Sequence, residues 1–251
     1  MARHPRDAFL TLYGRKPVAE ALAQDDVPVR RLFVARTARG PAVDLIRRLA
    51  RARGVEVLDR SPAEVSRISR RPKQDQGVAA DVAAPRMGSL EAHLDTEPSA
   101  RSRLIALDGI TTPANVGLIL RSATVLGLDG VVLPRRGAPE VGPLVIKASA
   151  GVAYRAPILR CPELPEALVD LAAAGYEAFG LADDGPERLP ELDVPPRAVF
   201  VLGNETDGIG SDVRPLIGRW VRIPMAGPGD SLNVACAATV VAYALAERRS
   251  S

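Results

Sequence analysis

Short apolar runs with no polar alternation recur through residues 104–223 of this chain and most constrain its fold. They are Leu104–Leu107, Val131–Leu133, Ala156–Leu159, Tyr176–Leu181, Ala198–Leu202 and Trp220–Ile223. A strand with one face in water alternates apolar and polar side chains, whereas a strand buried on both faces reads as a continuous apolar run. Helix-like stretches separate the runs, at Pro113–Leu126, Pro162–Ala174 and Ser231–Arg248. The pattern predicts an α/β domain over 102–251, its sheet mostly parallel and covered by helices on both faces.

The first 84 residues have a different texture. Gly14–Gln24 and Val43–Arg53 read as helices, with Gly54 in place to end the second. Arg30–Ala35, Val55–Leu58 and Gly77–Val82 read as strands, and Ser61 with Glu64 has the spacing of a capping box. We expect a separate small α/β domain over 1–84. Residues 85–101 contain Pro85, Gly88, Ser89, Pro98 and Ser99 and are expected to link the two, with room for a short helix at Leu90–Leu94. Charge divides along the same line. Residues 1–84 hold 17 Lys/Arg against 10 Asp/Glu, and residues 85–251 hold 16 against 20. A basic front on a slightly acidic body points to a polyanion contact made by the front.

Several function classes drop out on residue type. Two histidines, His4 and His93, leave little for a metal site or an imidazole base, so no metal is expected. Cys161 and Cys236 have neither disulfide-framework nor metal-ligand spacing and read as small buried apolar residues. No apolar stretch reaches membrane-spanning length of ~20 residues. The start, MARHPRDAF, has no apolar core behind its basic residues, so a cytoplasmic protein is expected. Neither the dinucleotide fingerprint nor the phosphate-loop pattern is present; Gly208-Ile209-Gly210 is followed by Ser211-Asp212-Val213.

Open α/β sheets bind ligands beyond the carboxyl ends of their strands. Three such loops stand out. The first is Asp108–Gly117, leading into Arg121; the second is Leu202–Gly210; the third is Ile223–Asn233. Glycines in the last two let a ligand approach the backbone, and Ser231 is placed to cap the final helix. Taken singly each loop is explained by a tight turn and a helix cap.

Together, in order and spacing, the loops resemble the three signature motifs of the SpoU family, also called TrmH. The resemblance rests on Pro113–Ala123, Val201–Ile209, and Ile223-Pro224-Met225 through Ser231–Val234. Asn204, Thr206-Asp207 and Leu118 depart from residues often seen there. The front segment resembles the substrate-binding domain often fused to this family, through Tyr13–Leu22 and Gln76–Ala80. The resemblance implies methylation of RNA ribose 2′-hydroxyls with S-adenosylmethionine, a trefoil knot in the C-terminal part and a homodimer. It implies cofactor contacts from Leu202, Gly203, Ile223, Met225 and Leu232, and catalytic roles for Asn115, Arg121, Glu205, Ser231 and Asn233. Family proposals make the arginine a base. Because arginine is ordinarily always protonated, we expect Arg121 to clamp a phosphate and stabilise a developing alkoxide instead. The front domain favours rRNA over tRNA as substrate. A tRNA enzyme, a resistance methylase and a non-catalytic ribosome-assembly factor are the alternatives, and joint retention of Asn115, Arg121, Glu205 and Asn233 argues against the last.

Overall fold

The structure is a computed structural model describing residues 9–96, 100–227 and 231–248. His4, Pro98, Ser99 and the Pro228–Asp230 part of the third loop lie outside the described residues. Among the described residues the chain forms two sheets, of four and eight strands.

The four-stranded sheet takes β1 (Phe9–Tyr13), β2 (Val29–Ala35), β3 (Glu56–Arg60) and β4 (Val78–Ala83), in the order β1-β4-β2-β3. β4 pairs antiparallel with both neighbours, and β2 pairs parallel with β3. Helices α1 (Arg15–Leu22), α2 (Pro41–Ala52) and α3 (Pro62–Ser69) lie against it. The Ser61–Glu64 capping box forms at the start of α3, Glu64 Oε2 accepting from Ser61 N at 2.7 Å. Gly54 follows α2 with φ +63°, a left-handed turn suited to glycine.

The eight-stranded sheet is entirely parallel among the described residues. Its strands are β5 (Gly88–Ser89), β6 (Ser102–Leu107), β7 (Gly130–Pro134), β8 (Ile158–Cys161), β9 (Glu177–Leu181), β10 (Glu187–Arg188), β11 (Arg197–Leu202) and β12 (Arg219–Arg222). They run β10-β12-β9-β11-β6-β7-β8-β5. Alternate residues feed opposite faces. Ile105, Leu107, Val131, Phe200 and Leu202 pack with α5 (Pro113–Val125), α6 (Pro143–Ala148) and α8 (Val234–Glu247). Leu104, Ala106, Val132, Val199 and Val201 pack with α4 (Leu90–Asp95) and α7 (Leu164–Ala173). Both faces are therefore covered, which is why these strands carry no polar alternation.

Several details differ from the sequence reading, among them the strands β1 and β10, which were not expected. The segment expected as a linker carries β5 at the sheet edge and the short helix α4, whose Leu90 is buried. Helix α6 was not expected. It packs across α5 at Gly117, where a Cβ would sit 2.5 Å from the Val145 carbonyl oxygen, so only glycine permits this crossing. Cys161 is buried, and burial pushes its thiol up to about 11. Cys236, by contrast, is exposed on α8, correcting the expectation that both cysteines are buried.

Candidate active site

Because all eight strands run parallel, their carboxyl ends share one edge of the sheet, and the three loops leave β6, β11 and β12 at that edge. The first two loops are tied together. Asp108 N donates to the Leu202 carbonyl at 2.9 Å, and Gly210 N donates to Asp108 Oδ2 at 2.6 Å. Burial raises the Asp108 carboxyl above the ordinary aspartate value; the Gly210 bond opposes this and nearby Asp212 adds to it.

The second loop closes on itself. Asn204 and Gly208 exchange backbone bonds of 3.1 Å in each direction, and Asn204 Oδ1 accepts from the amides of Thr206 and Asp207 at 2.8 and 2.7 Å. Gly203 is held against this turn so tightly that a Cβ would fall 2.1 Å from the carbonyl carbon of Gly208. The turn therefore leaves no room for a side chain at Gly203.

Three predicted polar residues meet above these loops. Asn115, buried in the first turn of α5, donates from Nδ2 to Glu205 Oε1. Asn233 Nδ2 donates to Asn115 Oδ1 at 3.3 Å, while Asn233 Oδ1 accepts from Ala235 N at 2.9 Å. Asn115 thus joins the second loop to the start of α8 and does not cap its own helix. Asn233, rather than Ser231, is the cap of α8, because the helix begins at Val234 and not at Ser231. Ser231 is exposed at the mouth of the cavity described next.

Between the second and third loops lies a cavity of about 350 Å³. Leu202, Gly203, Ile223, Met225 and Leu232 all line it, with Glu205 and Ser231. The sequence reading missed Leu181, Asp183, Arg214 and Trp220 on the same wall. The Arg214 guanidinium lies 4.5 Å from the centre of the Trp220 ring, so one side of the cavity is a stacked cation and indole. The apolar strand end at Leu181 was visible in the sequence, but nothing connected it to loops more than twenty residues away.

Arg121 stands apart from this group. It does not line the cavity, is exposed, and has no side-chain hydrogen bond or ion pair among the described residues. It shares a face of α5 with Leu118 and Val125, which are 42% and 72% exposed. Helix α8 abuts α5 through a 2.7 Å Ser122–Thr239 hydroxyl bond and carries the exposed Val240 and Tyr243. Among the described residues no cluster of His, Cys, Asp or Glu could hold a metal ion, and no helix is long and apolar enough to cross a membrane.

Comparison with known proteins gives this geometry a context. The profile of the SpoU rRNA Methylase family matches residues 102–243, and that of the RNA 2′-O ribose methyltransferase substrate-binding domain matches residues 11–88. An uncharacterised tRNA/rRNA methyltransferase of Mycobacterium ulcerans is 35% identical over 99% of this chain and 80% of its own length. The SpoU methyltransferase AviRb of Streptomyces viridochromogenes, solved in complex with AdoMet, superposes with a TM-score of 0.68 at 26% identity. That match covers 98% of this chain and 92% of the other. An AdoMet-bound rRNA methyltransferase of Sinorhizobium meliloti gives a TM-score of 0.65 at 26% identity, over 97% and 88% of the two chains. On its motifs, its all-parallel sheet and these matches, the chain belongs to the SpoU rRNA methylase family.

Proposed function

We propose that this protein methylates a ribose 2′-hydroxyl of RNA with S-adenosylmethionine, acting on rRNA in preference to tRNA. The observation that carries the reading is the convergence of the second and third loops on one cavity, whose wall residue Glu205 is joined through Asn115 of the first loop to Asn233. The cavity suits the cofactor by size and chemistry. Its volume of about 350 Å³ falls in the range of small-molecule sites, its walls combine aliphatic side chains with polar ones such as Asp183, Glu205 and Ser231, and Gly203 brings backbone groups to its surface. Leu202, Ile223, Met225 and Leu232 would flank an adenine ring, and Gly203 would meet its polar edge. When bound, the cofactor supplies an electrophilic methyl group on a sulfonium centre.

The chain's own residues then have to hold the ribose hydroxyl in line and stabilise the oxygen as it loses its proton. Glu205, oriented by Asn115, and Ser231 at the cavity mouth are the groups available to orient the hydroxyl. Arg121, with no internal partner among the described residues, is free to clamp the phosphate of the target nucleotide. Its position on an exposed apolar face also supports a homodimer. Leu118 and Val125 of α5 with Val240 and Tyr243 of α8 form a surface that a second copy would cover, bringing Arg121 to a subunit boundary.

The basic front supports an RNA-binding domain over 1–84, joined by 85–101 to a catalytic domain over 102–251. We also assign the protein a knotted C-terminal segment and a cytoplasmic place of work, where its RNA would be found. Arg121→Ala tests the reading. Methyl transfer is expected to fall at least 100-fold, while calorimetry finds AdoMet affinity within about threefold of the parent. Full activity in that variant sinks the role given to Arg121, and a parent protein that does not bind AdoMet sinks the reading as a whole.

A further inference from the structure

A second cavity, of about 270 Å³, lies where the two sheets meet. Its walls come from both: Thr11 and Tyr13 of β1 and Arg70 and Arg71 after α3 on one side, Arg135 after β7 and Arg160 of β8 on the other. One acidic side chain spans it. Glu140 places Oε1 3.8 Å from Arg70 Nη1 and Oε2 3.7 Å from Arg160 Nη2. The carboxylate is thus shared between one arginine of each sheet, at distances too long for hydrogen bonds. It is itself 61% exposed, so little holds it there.

Arg70 is unusual in its backbone as well. It ends α3 in the left-handed conformation, φ +54°, at a position where glycine is the ordinary choice. Its side chain faces the shared carboxylate.

The place of this cavity on the sheet matters. Arg135 follows the carboxyl end of β7 and Arg160 lies on β8, at the same edge of the sheet as the cofactor cavity. Only β6 and β7 separate β11 from β8, and at about 4.8 Å per strand the separation is roughly 14 Å. A few nucleotides of extended RNA cover that distance. The adjoining groove shares Arg70, Arg135, Glu140 and Arg160 with this cavity and beyond them is lined by Glu91, Asp95, Glu166 and Asp170. These carboxylates repel a polyanion and turn it towards Tyr13 and Thr11.

We propose that the cleft between the sheets is a phosphate clamp for single-stranded RNA flanking the target nucleotide, with the exposed Arg70 holding one phosphodiester over the buried Arg160 and Glu140 standing in its place when RNA is absent. The clamp rests on the reading that this protein acts on RNA. It ties the two sheets together when substrate is bound, because one ligand then engages both.

The test is fluorescence anisotropy of a 5′-labelled, mixed-sequence 20-nucleotide single-stranded RNA with the full chain, over a series of salt concentrations. Arg70→Gly relieves the left-handed backbone while removing the cation. It is expected to keep or raise Tm, weaken RNA binding three- to tenfold and lower the salt slope by about 0.7. Glu140→Gln is expected to tighten binding severalfold, and Arg188→Ala, the same charge loss at the far end of the sheet, to change it less than twofold. AdoMet affinity stays at the parent value in all three. An Arg70→Gly variant with parental affinity and slope, or an Arg188→Ala variant as impaired as Arg70→Gly, overturns the clamp alone. A parent protein that does not bind the RNA overturns both the clamp and the RNA reading beneath it.

Discussion

The two sheets use their polar side chains in opposite ways. In the four-stranded unit the polar groups close on each other. Asp75 accepts from Ser66, Ser69 and the Gly77 amide at 3.0, 2.9 and 2.8 Å, and Asp81 takes Arg31 at 2.8 Å and Thr11 at 3.2 Å. Arg47 pairs with Asp59, and Ser61 with Glu64. These bonds hold turns and helix ends in place and leave outward-facing arginines as the unit's free chemistry. In the eight-stranded unit the polar groups of the loops converge on one edge, and the bonds among them join separate loops around an open cavity. Polar residues that stabilise are satisfied locally; polar residues at a site are drawn from distant segments and left partly open.

That contrast can be broken in either direction. The largest effect is expected from Gly203→Ala, whose methyl group would have to displace the backbone at Gly208. AdoMet binding should drop at least 100-fold by calorimetry while the RNA affinity of the small unit holds. Retained AdoMet binding would mean that the second loop does not shape the cavity. Asp75→Ala should do the reverse. It removes the acceptor of three hydrogen bonds at a buried position, at a cost of about 2–3 kcal/mol, read as a lower unfolding midpoint in denaturant. AdoMet affinity should not move, and loss of it would show that the two units are not separable in this sense.

The smallest effect sharpens the boundary between structural and functional groups. Burial raises the Asp108 carboxyl, so its contribution to stability is fully present below the ordinary aspartate range and is lost as pH rises through the raised value. Asp108→Asn keeps an acceptor for the Gly210 amide and has no charge to bury. Its Tm should exceed the parent's by about 1–2 °C at pH 8 and match it near pH 4. A gain of the same size at both pH values would show that charge burial is not the cause.

Much of this was legible in the sequence because the signals were local or periodic. Uninterrupted apolar runs such as Leu104–Leu107 imply cover on both faces, and Ser61 with Glu64 marks a helix start at a fixed spacing. Helix α6 escaped because it is six residues long and packs through a glycine on another helix, which leaves no periodic trace. The cap of α8 was misplaced by two residues, since serine and asparagine serve equally well and only the geometry chooses Asn233. Asp183, Arg214 and Trp220 were missed for a different reason. They reach the cavity from the turn after β9, from a short 3-10 helix and from β12, and no one-dimensional spacing links those positions. The inter-sheet cleft was likewise invisible, being assembled from Arg70, Glu140 and Arg160 across ninety residues of chain.

The most direct test of the account follows the methyl group. Labelled AdoMet, the purified chain and either total rRNA or total tRNA are incubated, and the RNA is digested to nucleosides. The account predicts label in a 2′-O-methylated nucleoside from rRNA, at least tenfold above any in tRNA. Label confined to tRNA would keep the chemistry and reverse the substrate; label on a base, or in neither RNA, would contradict the account.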